Sequence, residues 1–196
     1  MSEKYSQMVI LVHPLYDLRS KLGERKISKN GFKQQYKKSL AEYGKVLLNY
    51  KNAPKTLFVM VIPATRKEFY NEHLERFEKF AKKVLGDRFV KTDFAPYGSQ
   101  LKFLPQNMYT KLNSEINILT YGEYAERCVK IWGEGYIPSN LKSHNIEVAS
   151  VKILEESSVY ASSKTKGISD RFLFTHKRRQ ELARKKKQKK RNLRKP

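Results

Sequence analysis

The sequence predicts an α/β fold of three layers, α-β-α, around a mostly parallel sheet of about five strands. Three observations predict it. Two uninterrupted apolar runs, Met8-Val-Ile-Leu-Val12 and Leu57-Phe-Val-Met-Val-Ile62, suit strands buried on both faces. Two longer segments carry apolar residues every three or four positions, with lysines on the other side. Strand-like and helix-like segments then alternate along the chain, the rhythm of a parallel sheet with right-handed crossovers.

The first strand spans Met8 to Val12 and stops at His13-Pro14. Asp17 to Asn30 is polar and glycine-containing and reads as a loop. A helix is expected from Phe32 to Tyr50, with Phe32, Tyr36, Leu40, Tyr43, Leu47 and Tyr50 on its inner stripe, ending before Ala53-Pro54. The second strand runs from Leu57 to Ile62 and is stopped by Pro63. Lys67 to Leu85 forms a second amphipathic helix, with Phe69 or Tyr70, His73 or Leu74, Phe77, Phe80, Ala81 and Val84 inward and Gly86 as its C-cap. Arg88 to Lys91 is a short third strand, Ala95 to Pro105 a loop and Gln106 to Leu112 a short helix. Ile116 to Thr120 is a fourth strand, Tyr124 to Trp132 a helix that Gly133-Glu-Gly135 terminates, and Ile146 to Leu154 a fifth strand. The whole is Rossmann-like. It divides into an α/β domain over 1–160, a connector over 161–175 and a tail over 176–196, whose helix would begin near Ser169-Asp170 and fray in the lysine run.

Charge is the strongest functional signal. The chain carries 41 Lys or Arg against 19 acids, a formal net charge of +22. Half of that sits in His176 to Pro196, where Lys177, Arg178, Arg179, Arg184, Lys185, Lys186, Lys187, Lys189, Lys190, Arg191, Arg194 and Lys195 face one acid, Glu181. A block of like charge this dense cannot bury itself and gains free energy by displacing counterions from a polyanion. The tail has no interleaved aromatics, which suits phosphate contact without base readout. Nucleic acid is therefore the expected partner, with RNA favoured. Leu182 and Leu193 are too few apolar anchors for a membrane surface, and no segment has the length to span a bilayer. One cysteine, Cys128, excludes a disulfide framework and a cysteine-based zinc cluster. A cytoplasmic location is expected.

Chemistry in such a sheet belongs at the carboxyl ends of the strands. Three candidates lie there. Cys128 follows a strand, a glycine turn at Gly122 and the first turn of a helix, where the helix dipole and free N–H groups favour a thiolate. A cysteine there also suits the inner face of the helix as a small apolar residue. Lys91 closes the third strand and could tune a nucleophile or hold an anion; it could equally be a solvated strand-end lysine. His13 could serve as a base, or simply cap its strand with hydrogen bonds. The four histidines form no HxH or HExxH spacing, so no metal is expected. No phosphate-binding glycine motif follows a strand, so no nucleotide cofactor is expected either.

Three segments together resemble the isochorismatase-like cysteine hydrolase superfamily. Met8-VILVHPLYD-Leu18 is similar to the family's first strand, Val90-KTDFAPYGSQ-Leu101 to its lysine loop, and Gly122-EYAERC-Val129 to its nucleophile turn. The resemblance covers about residues 8 to 155. It implies an isochorismatase-type sheet with Cys128 as nucleophile, Lys91 as the group that tunes it, and backbone N–H groups around Arg127 and Cys128 as an oxyanion hole. His13 stands where the family has its catalytic Asp. The family's metal-binding Asp and His after the second strand are absent, since that stretch reads Pro63-Ala-Thr-Arg-Lys67, so nicotinamidase activity is not expected.

Two readings from different classes stand. In one, a divergent cysteine hydrolase acts on an amide or ester substrate in the crevice, or has lost catalysis, and its tail localises it to nucleic acid. In the other, the body is a non-enzymatic scaffold of an RNA- or DNA-binding, or ribosome-associated, protein.

Overall fold

The computed structural model describes residues 4–16, 18–19, 27–63, 67–94, 103–123 and 128–154. Five strands form one all-parallel sheet in the order β3-β2-β1-β4-β5. They are β1 (Tyr5–Val12), β2 (Thr56–Pro63), β3 (Phe89–Phe94), β4 (Leu112–Gly122) and β5 (Glu147–Ile153). Helix α1 (Lys29–Asn49) links β1 to β2, and α2 (Lys67–Leu85) links β2 to β3. A short α3 (Gln106–Tyr109) precedes β4, and a π-helical turn (Trp132–Tyr136) runs into α4 (Ile137–Lys142) before β5. The three-layer α/β architecture expected from the sequence is the observed one.

The central strands explain the apolar runs. Every residue of β2 is buried, as are Met8 to Val12 of β1. Alternate residues serve opposite cores. Val9, Leu11, Phe58 and Met60 meet Tyr43, Leu47, Tyr70, Leu74 and Phe77 from α1 and α2. Met8, Ile10, Val12, Leu57, Val59 and Val61 meet Met108, Tyr109, Val129, Trp132 and Leu141 on the other side.

Among the differences from expectation, four have clear local reasons. Helix α1 starts three residues early, because Ser28 caps it by accepting from the Gly31 N–H at 3.1 Å. Asn30-Gly31 thus lies in its first turn, not in a loop, and Tyr16, Leu18 and Arg19 are helical as well. The chain does not leave the helical path at Gly133-Glu-Gly135. It continues as a π turn, and a Cβ on Gly133 would press on Thr120 and Val151 at 2.9–3.2 Å, so glycine there lets the turn pack onto β4 and β5. The fourth is the phase of α1. Its buried residues are Gln35, Ser39, Tyr43, Gly44, Val46 and Leu47, while Phe32, Tyr36 and Leu40 are only half-buried, and Phe32 and Tyr36 meet α2.

Candidate functional site

In an open parallel sheet the crevice opens where the strand order reverses. Here that place lies between the carboxyl ends of β1 and β4, where Val12 pairs with Gly122. The two backbones approach so closely that a Cβ on Gly122 (φ +156°) would collide with the Val12 carbonyl. Beyond Gly122, Glu123 turns inward and is fully buried. Its Oε1 accepts from the Leu15 N–H at 2.8 Å and from the Tyr43 hydroxyl at 2.9 Å. The chain leaves β1 through two non-glycine residues in the left-handed region, His13 (φ 46°) and Leu15 (φ 63°), a conformation that surrounding structure must hold in place.

Burial governs the ionisation of this crevice. It drives the Tyr43 phenol well above its ordinary pKa, and the neighbouring Glu123 carboxylate adds to the effect. Tyr70 is pushed up to about 12 by burial, opposed by the Arg19 guanidinium. Both phenols are protonated at neutral pH, and that of Tyr43 donates to Glu123. The crevice floor is therefore a buried polar knot that ties the β1 exit, α1 and β4 together. Glu123 enters the sequence reading only as the acid between Gly122 and Cys128. Its signal was an acid directly after the glycine that ends a buried strand.

His13 sits at this end of the sheet. Its N–H donates to the Val61 carbonyl at 2.9 Å, and its ring meets Trp132 edge-on with centroids 5.3 Å apart. Nε2 is buried and has no hydrogen-bond partner among the described residues. Cys128 is half-buried and packs against the Val129 and Trp132 side of the core, so His13 and the Cys128 helix meet through Trp132. Lys91 does not join them. It pairs in register with Met60, and it shares a sheet face with Phe89, two residues before it. Its ammonium donates to Glu78 Oε2 at 2.7 Å and to Asn71 Oδ1 at 3.3 Å, both on α2. Lysine and cysteine thus occupy opposite faces of the sheet, with β1 and β2 between their strands. Arg127 and the tail cations Lys177 to Lys195 lie outside the described residues, as does the predicted tail helix.

No protein-family model matches this chain, and no curated protein or solved structure matches it either. The resemblance to cysteine hydrolases therefore rests on the three sequence segments alone. Among the described residues, no group of three or more His, Cys, Asp and Glu could hold a metal ion, and no helix is long and apolar enough to cross a membrane.

Two measurable consequences arise here. Burial lowers the His13 pKa from its ordinary 6.5 to about 4, so the folded protein holds a neutral imidazole that the unfolded chain would protonate first. Between those two values the unfolded state binds the extra proton. Stability is then lost as pH falls from 6.5 toward 4, by about 3 kcal/mol in all, and levels off below. His13→Asn, which tolerates the left-handed backbone, should flatten that part of a urea-denaturation pH profile. An unchanged profile would show that another group carries it. Second, Lys91→Met should cost only about 0.5–1 kcal/mol, since Glu78 keeps its ion pair with Lys82 at 2.9 Å. It should leave the alkylation rate of Cys128 unchanged. A fall of more than about threefold would put the ammonium in electrostatic reach of the sulfur.

Proposed function

We propose that this protein is a non-enzymatic RNA-binding protein, with the α/β body as scaffold and the basic tail as its main phosphate contact. The observation that carries the reading is the distribution of charge. The last 21 residues hold twelve of the 41 cations. On the body, α1 alone adds five lysines against one acid, Glu42. Lys29, Lys33 and Lys37 are exposed and follow one another at four-residue spacing, which sets them about 6 Å apart along one side of the helix. Helix α2 is different in kind. Four glutamates accompany its five cations, and Lys79 and Lys82 pair with Glu75 and Glu78 one turn back. Lysine in excess over acid on one helix, where only Glu42 faces five lysines and pairs with Lys45 at 2.7 Å, and a dense cationic tail suit a polyanion.

The commitment of Lys91 to Glu78, across the sheet from Cys128, favours this reading over the hydrolase. The test is titration of the full chain into a fluorescently labelled RNA, beside a chain lacking residues 176–196 and a Cys128→Ser variant. Tight binding that falls steeply on loss of the tail, leaving at most weak binding at low salt, and that ignores the cysteine supports the reading. Absence of binding at low salt ends it.

A further inference from the structure

The aromatic residues that α1 and α2 withhold from the core meet in a groove between the two helices. Phe32 and Tyr36, one turn apart on α1, stack with centroids 6.0 Å apart. Phe69 and His73, one turn apart on α2, stack at 4.3 Å. The pairs meet edge to face, Phe32 against His73 at 5.5 Å and Tyr36 against His73 at 6.0 Å. The Tyr36 hydroxyl donates to the His73 carbonyl at 2.7 Å and so fixes the distance between the helices. All four rings are half-buried. The groove encloses about 320 Å³ and is lined by Phe32, Lys33, Tyr36, Glu72, His73 and Arg76, a volume near the small end of ligand sites.

That lining combines aromatic rings with charged side chains of both signs. Phe32 and Tyr36 occupy the positions where an inward-facing helix stripe would put them, while Gln35 and Ser39 are buried beneath. Phe32, Tyr36 and His73 line the groove, and exposed cations flank them. Lys33 and Arg76 stand on opposite helices at the groove, and Lys29 and Lys37 continue the α1 side. Stacking rings beside a cationic track are what single-stranded nucleic acid requires, because every base has a π face and every linkage a phosphate. A duplex, whose bases are already stacked and paired, offers such a groove nothing but charge.

We propose that this groove takes an unstacked base of a single strand, with Lys33 and Arg76 on the flanking phosphates. Glu72, whose side chain is 79% exposed beside His73, is placed to accept from an exocyclic amine of that base. The proposal rests on the reading of the protein as an RNA binder, and it divides the work. The tail supplies affinity for any RNA, and the groove supplies preference for unpaired RNA.

The test uses the full chain and two labelled RNAs of equal length, a single strand of repeated CA and a duplex. Phe32→Leu keeps apolar volume and removes the π face. It should weaken binding of the single strand about tenfold and leave duplex binding unchanged. Lys33→Gln combined with Arg76→Gln, both exposed positions that leave the core alone, should also weaken the single strand more than the duplex. Equal effects of each variant on both RNAs, or no effect on either, would overturn the groove while leaving the tail-based function intact. Failure of the unmodified chain to bind either RNA would overturn the function, and the groove with it.

Discussion

Raising monovalent salt from about 50 to about 200 mM will weaken RNA binding by the full chain roughly two- to four-thousandfold. The expectation follows from counting. Each phosphate neutralised on a single strand releases about 0.7 of a counterion, so about eight contacts give a slope near −6 in log affinity against log salt. The tail alone offers twelve cations, and α1 adds an exposed row. Deleting residues 176–196 removes half of the net charge of +22 and should cut that slope by more than half. Binding by the shortened chain should then be measurable only at low salt, where the body's own cations act without the tail. Cys128→Ser should track the parent at every salt concentration. A slope near zero, or a shortened chain that binds as the parent does, would show that the charge block has another purpose. Anisotropy titrations across a salt series read all of these outcomes directly.

Much of the scaffold was legible because its signals are of one kind. A parallel strand buried on both faces must be apolar at every position, and β1 and β2 are. The errors arose where two residues compete for one role. On α1, period alone put Phe32, Tyr36 and Leu40 inside, because aromatic size outweighs polarity in such a count. The helix instead buries Gln35 and Ser39 and turns its rings toward α2. On α2, either member of Phe69/Tyr70 and of His73/Leu74 fitted the inner stripe; Tyr70 and Leu74 are buried, which frees Phe69 and His73 to meet the α1 rings. Of the three candidates, parity separates Lys91 from the other two. Residues two apart in a strand share a face, so the burial of Phe89 against α1 and α2 committed Lys91 to that side, away from Cys128. Strand-end position, which nominated Lys91, carries no information about face. Glu123 stood out only as an acid after a strand-ending glycine, and its role could not be read for another reason. A buried carboxylate depends on partners 80 and 108 residues away, Tyr43 and Leu15, which no local pattern announces.

That carboxylate sets the largest expected loss of stability. Glu123→Ala should destabilise the fold by about 3–5 kcal/mol, because two buried donors lose their acceptor at once and each such loss costs about 1–3 kcal/mol. The Leu15 N–H belongs to a residue at φ 63°, so the substitution also releases a backbone segment that nothing in its own sequence favours. Relief of the carboxylate's desolvation opposes the loss and keeps it from being larger. Glu123→Gln retains an acceptor oxygen in the same place and should cost about half as much. Tyr43→Phe removes one of the two donors, so its effect and that of Glu123→Ala should be less than additive in a double-mutant cycle. Urea denaturation gives each value. A loss below about 1 kcal/mol for Glu123→Ala would mean that the Leu15 loop is held by other contacts. RNA affinity per folded molecule should be the same in all three variants, because the knot lies at the carboxyl ends of β1 and β4 and contains none of the cations on the outer side of α1. A structural knot at the sheet's switch point, where enzymes of this architecture hold their ligands, fits a chain that keeps the α/β scaffold and does its binding elsewhere.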